Sequence, residues 1–106
     1  MWIFLNDAFL SVVADKADPT GERLLVRARR ASDIERVFPE AEVFQVVISD
    51  YAFRAWVARQ QVAEALAARA NAIDYPNFKD SITDHDLHEA AMDVWGVMHR
   101  LQERSR

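Results

Sequence analysis

The chain has 106 residues, 51% of them hydrophobic, and a formal net charge of −4, which describes one domain with apolar surface enough for one core. It contains no cysteine; disulfides, thiolate chemistry and cysteine-built zinc or iron–sulfur sites are excluded, as suits a reducing cytoplasm. The negative balance argues against direct nucleic-acid binding, because phosphate recognition depends on an excess of cations.

The N-terminus, Met1-Trp2-Ile3-Phe4-Leu5-Asn6-Asp7, has no basic flank, and its apolar run is too short for a secretion signal. No stretch approaches the roughly 20 apolar residues of a membrane span. A cytoplasmic protein without a membrane partner is expected. Residues 2–5 are apolar throughout, the pattern of a strand covered on both faces. Asn6-Asp7 can turn the chain. A second strand over 8–15 would place Phe9, Ser11 and Val13 on one side and Leu10 and Val12 on the other. Asp18-Pro19-Thr20-Gly21 has the residues of a type I turn in the right order.

A third strand, 22–29, alternates Leu24, Val26 and Ala28 with Arg23, Leu25, Arg27 and Arg29. One face looks inward and the other carries guanidinium groups. Ser32 and Glu35 have the spacing of a capping box, predicting a short helix that Pro39 stops. Residues 43–48 are rich in β-branched side chains and read as a fourth strand. Ser49-Asp50 is a turn, and 51–57 a fifth strand with Tyr51, Phe53, Ala55 and Val57 opposite Arg54 and Trp56. One long strand with a bulge near Ser49 is the alternative.

After Ala58 the apolar period becomes helical: Val62, Ala65, Leu66, Ala70 and Ile73, ended by Pro76. Ser81 or Thr83 can cap a last helix, with Asp84 and Asp86 near its positive end. Leu87, Ala91, Val94, Met98 and Leu101 form its stripe, beside Trp95. The predicted order β-β-β-α-β-β-α-α is that of an α+β fold: an antiparallel sheet of four to five strands with helices, two long and one short, on one face.

The connector Ile73-Asp74-Tyr75-Pro76-Asn77-Phe78-Lys79-Asp80-Ser81 is crowded with aromatic and ionisable side chains. Tyr75 and Phe78 either plug the core, with Asn77 and Asp74 satisfying backbone groups, or are presented as a recognition loop. Between residues 74 and 93 stand Asp74, Asp80, Asp84, Asp86, Glu89 and Asp93 against the single Lys79. Arg23, Arg27, Arg29 and Arg30 form the opposite charge. They suit a solvated sheet face, internal pairing with the acidic segment, or contact with an anionic partner. Two faces of opposite sign can also drive homodimerisation.

Histidine and carboxylate spacing at Asp84, His85, Asp86, His88, Glu89 and His99 raises a metal site. His85 and His88 are three residues apart, however, not the four of a HExxH helix, and a capped helix start explains the acids. A metal-dependent hydrolase or nuclease would be built on Asp74, Asp80, His85 and His88. No nucleophile motif or phosphate-binding glycine loop accompanies them, and no cofactor is implied.

The opening Met1-Trp2-Ile3-Phe4-Leu5-Asn6-Asp7-Ala8-Phe9-Leu10-Ser11-Val12-Val13, with Ile73-Asp74-Tyr75-Pro76-Asn77-Phe78-Lys79 and Val94-Trp95-Gly96-Val97-Met98-His99-Arg100-Leu101, resembles a family of small uncharacterised proteins of proteobacterial chromosomes and their phages or mobile elements. Leu25-Val26-Arg27-Ala28-Arg29 and Asp33-Ile34-Glu35 continue the resemblance. It implies a bacterial protein and assigns no chemistry. Together these features point to a non-enzymatic, macromolecule-binding protein with a protein partner. One form of it would be an inhibitor or modulator of a host complex such as a nucleic-acid defence system. The interaction residues would be Asp74, Tyr75, Asn77, Phe78, Lys79, Asp80, Asp84 and Asp86 with Arg23, Arg27 and Arg29. A structural homo-oligomer and the metal-dependent enzyme are the alternatives.

Overall fold

A computed structural model describes residues 1–106. The chain divides into two compact units, Met1–Asp74 and Tyr75–Arg106. The first contains β1 (Trp2–Phe4), β2 (Phe9–Ala14), β3 (Arg23–Ala28), α1 (Ala31–Val37), β4 (Phe44–Gln45), β5 (Phe53–Ala58) and α2 (Arg59–Asn71). The strands form one antiparallel sheet in the order β1-β2-β3-β5-β4. The second unit holds a 3-10 turn, Lys79–Ser81, and the long C-terminal helix α3 (His85–Arg104). This is the α+β architecture and element order that the hydrophobic pattern predicts.

Strand alternation decides which face of the sheet is covered. Leu10, Val12, Val26, Ala28, Ala55 and Val57 point to one side, where Ile34 of α1, Phe38 just beyond it and Val62 of α2 complete the core. Leu10, Val26 and Ile34 are fully buried, each stabilising by about 1.5–3 kcal/mol through apolar burial. Between β2 and β3 the chain turns through Asp18-Pro19-Thr20-Gly21. Asp18 Oδ1 accepts from the Thr20 N–H at 3.0 Å, and Gly21, the turn's last residue, takes a φ of +70° that glycine adopts without steric cost.

Several local expectations are corrected. β1 is not covered on both faces: it is an edge strand, and Trp2 is 75% exposed. The Ser32–Glu35 capping box does not form. Arg30 occupies the N-cap position of α1 without a side-chain cap. Asp33, 2% exposed, has a stronger use. Its carboxylate accepts from the Phe9 N–H at 3.0 Å and from Arg30 Nε at 3.1 Å, and it pairs with Arg36. One buried charge thereby ties α1 to the start of β2.

The fourth strand shrinks to Phe44–Gln45. Val47 and Ile48 are exposed in the turn that follows, closed by the Val46 N–H donating to the Ala52 carbonyl at 2.8 Å. The alternative of a single bulged strand is thus replaced by a hairpin. Tyr51 precedes β5 and does not share the inward face of Phe53. α2 ends at Asn71, leaving Ile73 exposed.

In the second unit α3 is capped by Asp84, not by Ser81 or Thr83; its Oδ1 accepts from the Leu87 N–H at 3.1 Å. Ser81 Oγ donates instead to the Phe78 carbonyl. The apolar stripe of α3 is split. Leu87 and Ala91 are buried, whereas Val94, Met98 and Leu101 are about half exposed, with Trp95 beside them at 54%.

Candidate functional site

The side chains of the sheet that point away from α1 and α2 follow from the strand register. Trp2 pairs with Ser11, Ser11 with Arg27, Arg27 with Arg54, and Arg54 with Phe44. A single row, Trp2–Ser11–Arg27–Arg54–Phe44, therefore crosses all five strands. On one side of it lie Phe4 and Phe9; on the other lie Val13, Leu25 and Trp56. The face is aromatic at its edges and cationic at its centre.

Arg27 and Arg54 stand directly opposite each other, an arrangement that is destabilising for like charges. Neither forms an ion pair with a carboxylate. One terminal nitrogen of Arg27 donates to Ser11 Oγ at 2.7 Å, its Nε–H is buried without a partner, and its guanidinium lies 4.7 Å from the centre of the Tyr51 ring. Arg54 donates to Ser49 Oγ and, at 3.3 Å, to the Tyr51 carbonyl. Both cations are therefore held in place by neutral groups. Pre-positioning of this kind lowers the ordering cost of binding an anion.

The rest of the arginine stripe is already engaged. Arg23 pairs with the buried Asp15 at 2.5 Å and lies 4.4 Å from the Trp56 ring. Arg29 donates to the Asp50 carbonyl at 2.7 Å and also covers Tyr51, at 4.5 Å. Arg30 leaves the stripe for Asp33. Tyr51 itself is buried, at 4% exposure, beneath two guanidinium groups.

The Asp50 carboxyl responds to this field. Partial desolvation pushes it up, but the Tyr51 N–H at 2.9 Å, the Ser49 hydroxyl and the charges of Arg27 and Arg29 outweigh that effect. Its pKa lies below the ordinary 3.8.

The connector residues take mostly local roles. Tyr75 and Phe78 contact each other with ring centres 6.0 Å apart, and Asn77 Oδ1 accepts from the Asp80 N–H at 3.1 Å. Lys79 lies 4.8 Å from the Trp95 ring. Asp84 is the cap of α3, and Asp74, Asp80 and Asp86 are exposed. His99 stacks on Trp95 with ring centres 5.2 Å apart. Nowhere do three or more histidine, aspartate or glutamate side chains converge as a metal site. Asp74, Asp80, His85 and His88 do not make one.

Arg54 is the residue of this candidate site that sequence reasoning missed. Its outward direction on the fifth strand was legible beside Trp56; its position opposite Arg27 was not, because β3 and β5 pair across an intervening helix and strand and no local turn fixes their register. Compared with protein-family models, curated proteins and solved structures, the chain matches none. No helix is long and apolar enough to cross a membrane.

Proposed function

We propose that this protein is a non-enzymatic macromolecule-binding module whose arginine face takes an acidic segment of a protein partner. The observation that carries this reading is the Arg27–Arg54 pair: two adjacent guanidinium groups, set in an aromatic frame, neither in a contact ion pair, with Asp50 acting on Arg27 only through its field. A planar guanidinium accepts a carboxylate through two parallel hydrogen bonds, and arginine, tryptophan and tyrosine dominate the energetics of protein interfaces. Two such cations are few against the roughly 6–10 phosphate contacts of a nucleic-acid protein, and the net charge of −4 opposes a polyanion. An acidic peptide fits both facts. The resemblance to phage and mobile-element proteins supports the finer reading, an inhibitor or modulator of a host complex.

The test is a titration of the protein, wild type and Arg27→Glu/Arg54→Glu, with an aspartate- and glutamate-rich peptide and with a single-stranded oligonucleotide of equal charge. Peptide binding that falls at least about tenfold in the variant, and weakens with salt, is expected. Equal peptide binding by the two proteins, or preference for the oligonucleotide, would refute the reading. Affinity capture from a bacterial host, with the variant as control bait, then identifies the partner.

A further inference from the structure

We propose that the C-terminal end of α3 docks, in a second copy of this chain, into the groove between α1, β4 and α2. The two surfaces are complementary in shape class, polarity and charge. The groove has a volume of about 820 Å³, within the range of about 300–1,000 Å³ that binding clefts occupy. Its floor is apolar, from Phe38 and Val43 to Val57, and its rim carries Phe44 and Trp56, 37% and 42% exposed. Its charged lining is Glu40, Glu42 and Glu64, with no cation among them. Glu40 and Glu42 make no ion pair, and Glu64 accepts only from Gln60.

The end of α3 has the opposite character. Val94, Met98 and Leu101 recur at positions i, i+4 and i+7 and are 45–54% exposed. That spacing is the anchor pattern of a helix lying in a groove. At 100° per residue, Arg104 flanks the stripe about 60° beyond Leu101, and Arg100, one turn before it on the same side, lies about 100° from Leu101. Neither has a carboxylate partner, whereas the neighbouring Arg106 pairs with Glu103 at 3.4 Å.

No residue of α3 beyond Ala91 is buried. Isolated helices shorter than about 12–15 residues are marginal in water, so this last segment gains most from a surface to pack on. A groove and a helix end on the same chain, each carrying the charge the other lacks, describe association between copies. Of the arginine face only Phe44 and Trp56 border the groove; Arg27 and Arg54 do not line it.

Sedimentation velocity across a concentration series reads the outcome. The wild type is expected to associate, with at least about tenfold weakening when salt is raised from about 0.05 to 0.5 M. The groove variant Glu40→Lys/Glu42→Lys/Glu64→Lys and the helix variant Arg100→Glu/Arg104→Glu are each expected to be monomeric with unchanged circular dichroism. An equimolar mixture of the two variants should restore the complex. A wild type that stays monomeric at millimolar concentration would overturn the proposal, since groove and helix would then serve a different protein. So would association that survives the groove reversal, the mark of helix pairing with helix.

Discussion

Two corners of the first unit use arginine in opposite ways. At the start of α1, Arg30 and Arg36 surround the buried carboxylate of Asp33. At the centre of the sheet, Arg27 and Arg54 face each other with hydroxyls and a carbonyl for company. The first arrangement satisfies a buried charge and stabilises the fold. The second places like charges together, with neutral acceptors and the Tyr51 ring set against the repulsion instead of a paired carboxylate. Residue type alone does not separate ion-paired arginines from those held by neutral groups; the charge of the nearest acceptor does.

The largest break in this comparison is at Asp33. Asp33→Ala should destabilise the protein by about 2 kcal/mol, because it leaves the Phe9 N–H without its acceptor and removes the shared partner of two half-exposed guanidinium groups; urea unfolding measures it. A loss below about 1 kcal/mol would make the corner no more structural than the sheet centre. Arg54→Glu should change stability by less than about 1 kcal/mol, since a favourable cross-strand pair with Arg27 offsets the lost hydrogen bonds. The same denaturation experiment on that variant therefore separates the two corners directly.

The smallest effect is electrostatic. Because the Asp50 carboxyl is held below its ordinary value, its contribution to stability is present above pH 3.8 and is lost as pH falls through the lowered folded-state value. Following the Asp50 carboxyl resonance against pH should locate that midpoint. In Arg27→Ala the midpoint should move upward toward 3.8. A midpoint that does not move would detach Asp50 from the field of the arginine face.

Much of the fold could be read from residue order. The alternation of 22–29 named its inward and outward sets, that of 51–57 did so from Phe53 onward but misplaced Tyr51, and Asp18-Pro19-Thr20-Gly21 turned as expected. Capping was misread twice for one reason. Ser32, Ser81 and Thr83 have the right chemistry and spacing, but a cap is settled by which oxygen reaches the free N–H groups. Asp84 does so for α3. At α1 no side chain does, and Asp33 is committed to the interior. Val47 and Ile48 have strand-forming side chains yet sit in the hairpin turn, where context overrides propensity.

By itself the amino-acid order determined the α+β class, the period of the main elements, the outward direction of Arg27 and Arg54, and the absence of any cysteine chemistry. Periodicity and composition are local properties, and local properties are carried by sequence. Only the tertiary structure decided that Arg27 meets Arg54, that Asp33 is buried among cations, and that the second half of the α3 stripe is left bare. Each of these depends on register or burial between segments distant along the chain, and no local pattern encodes that.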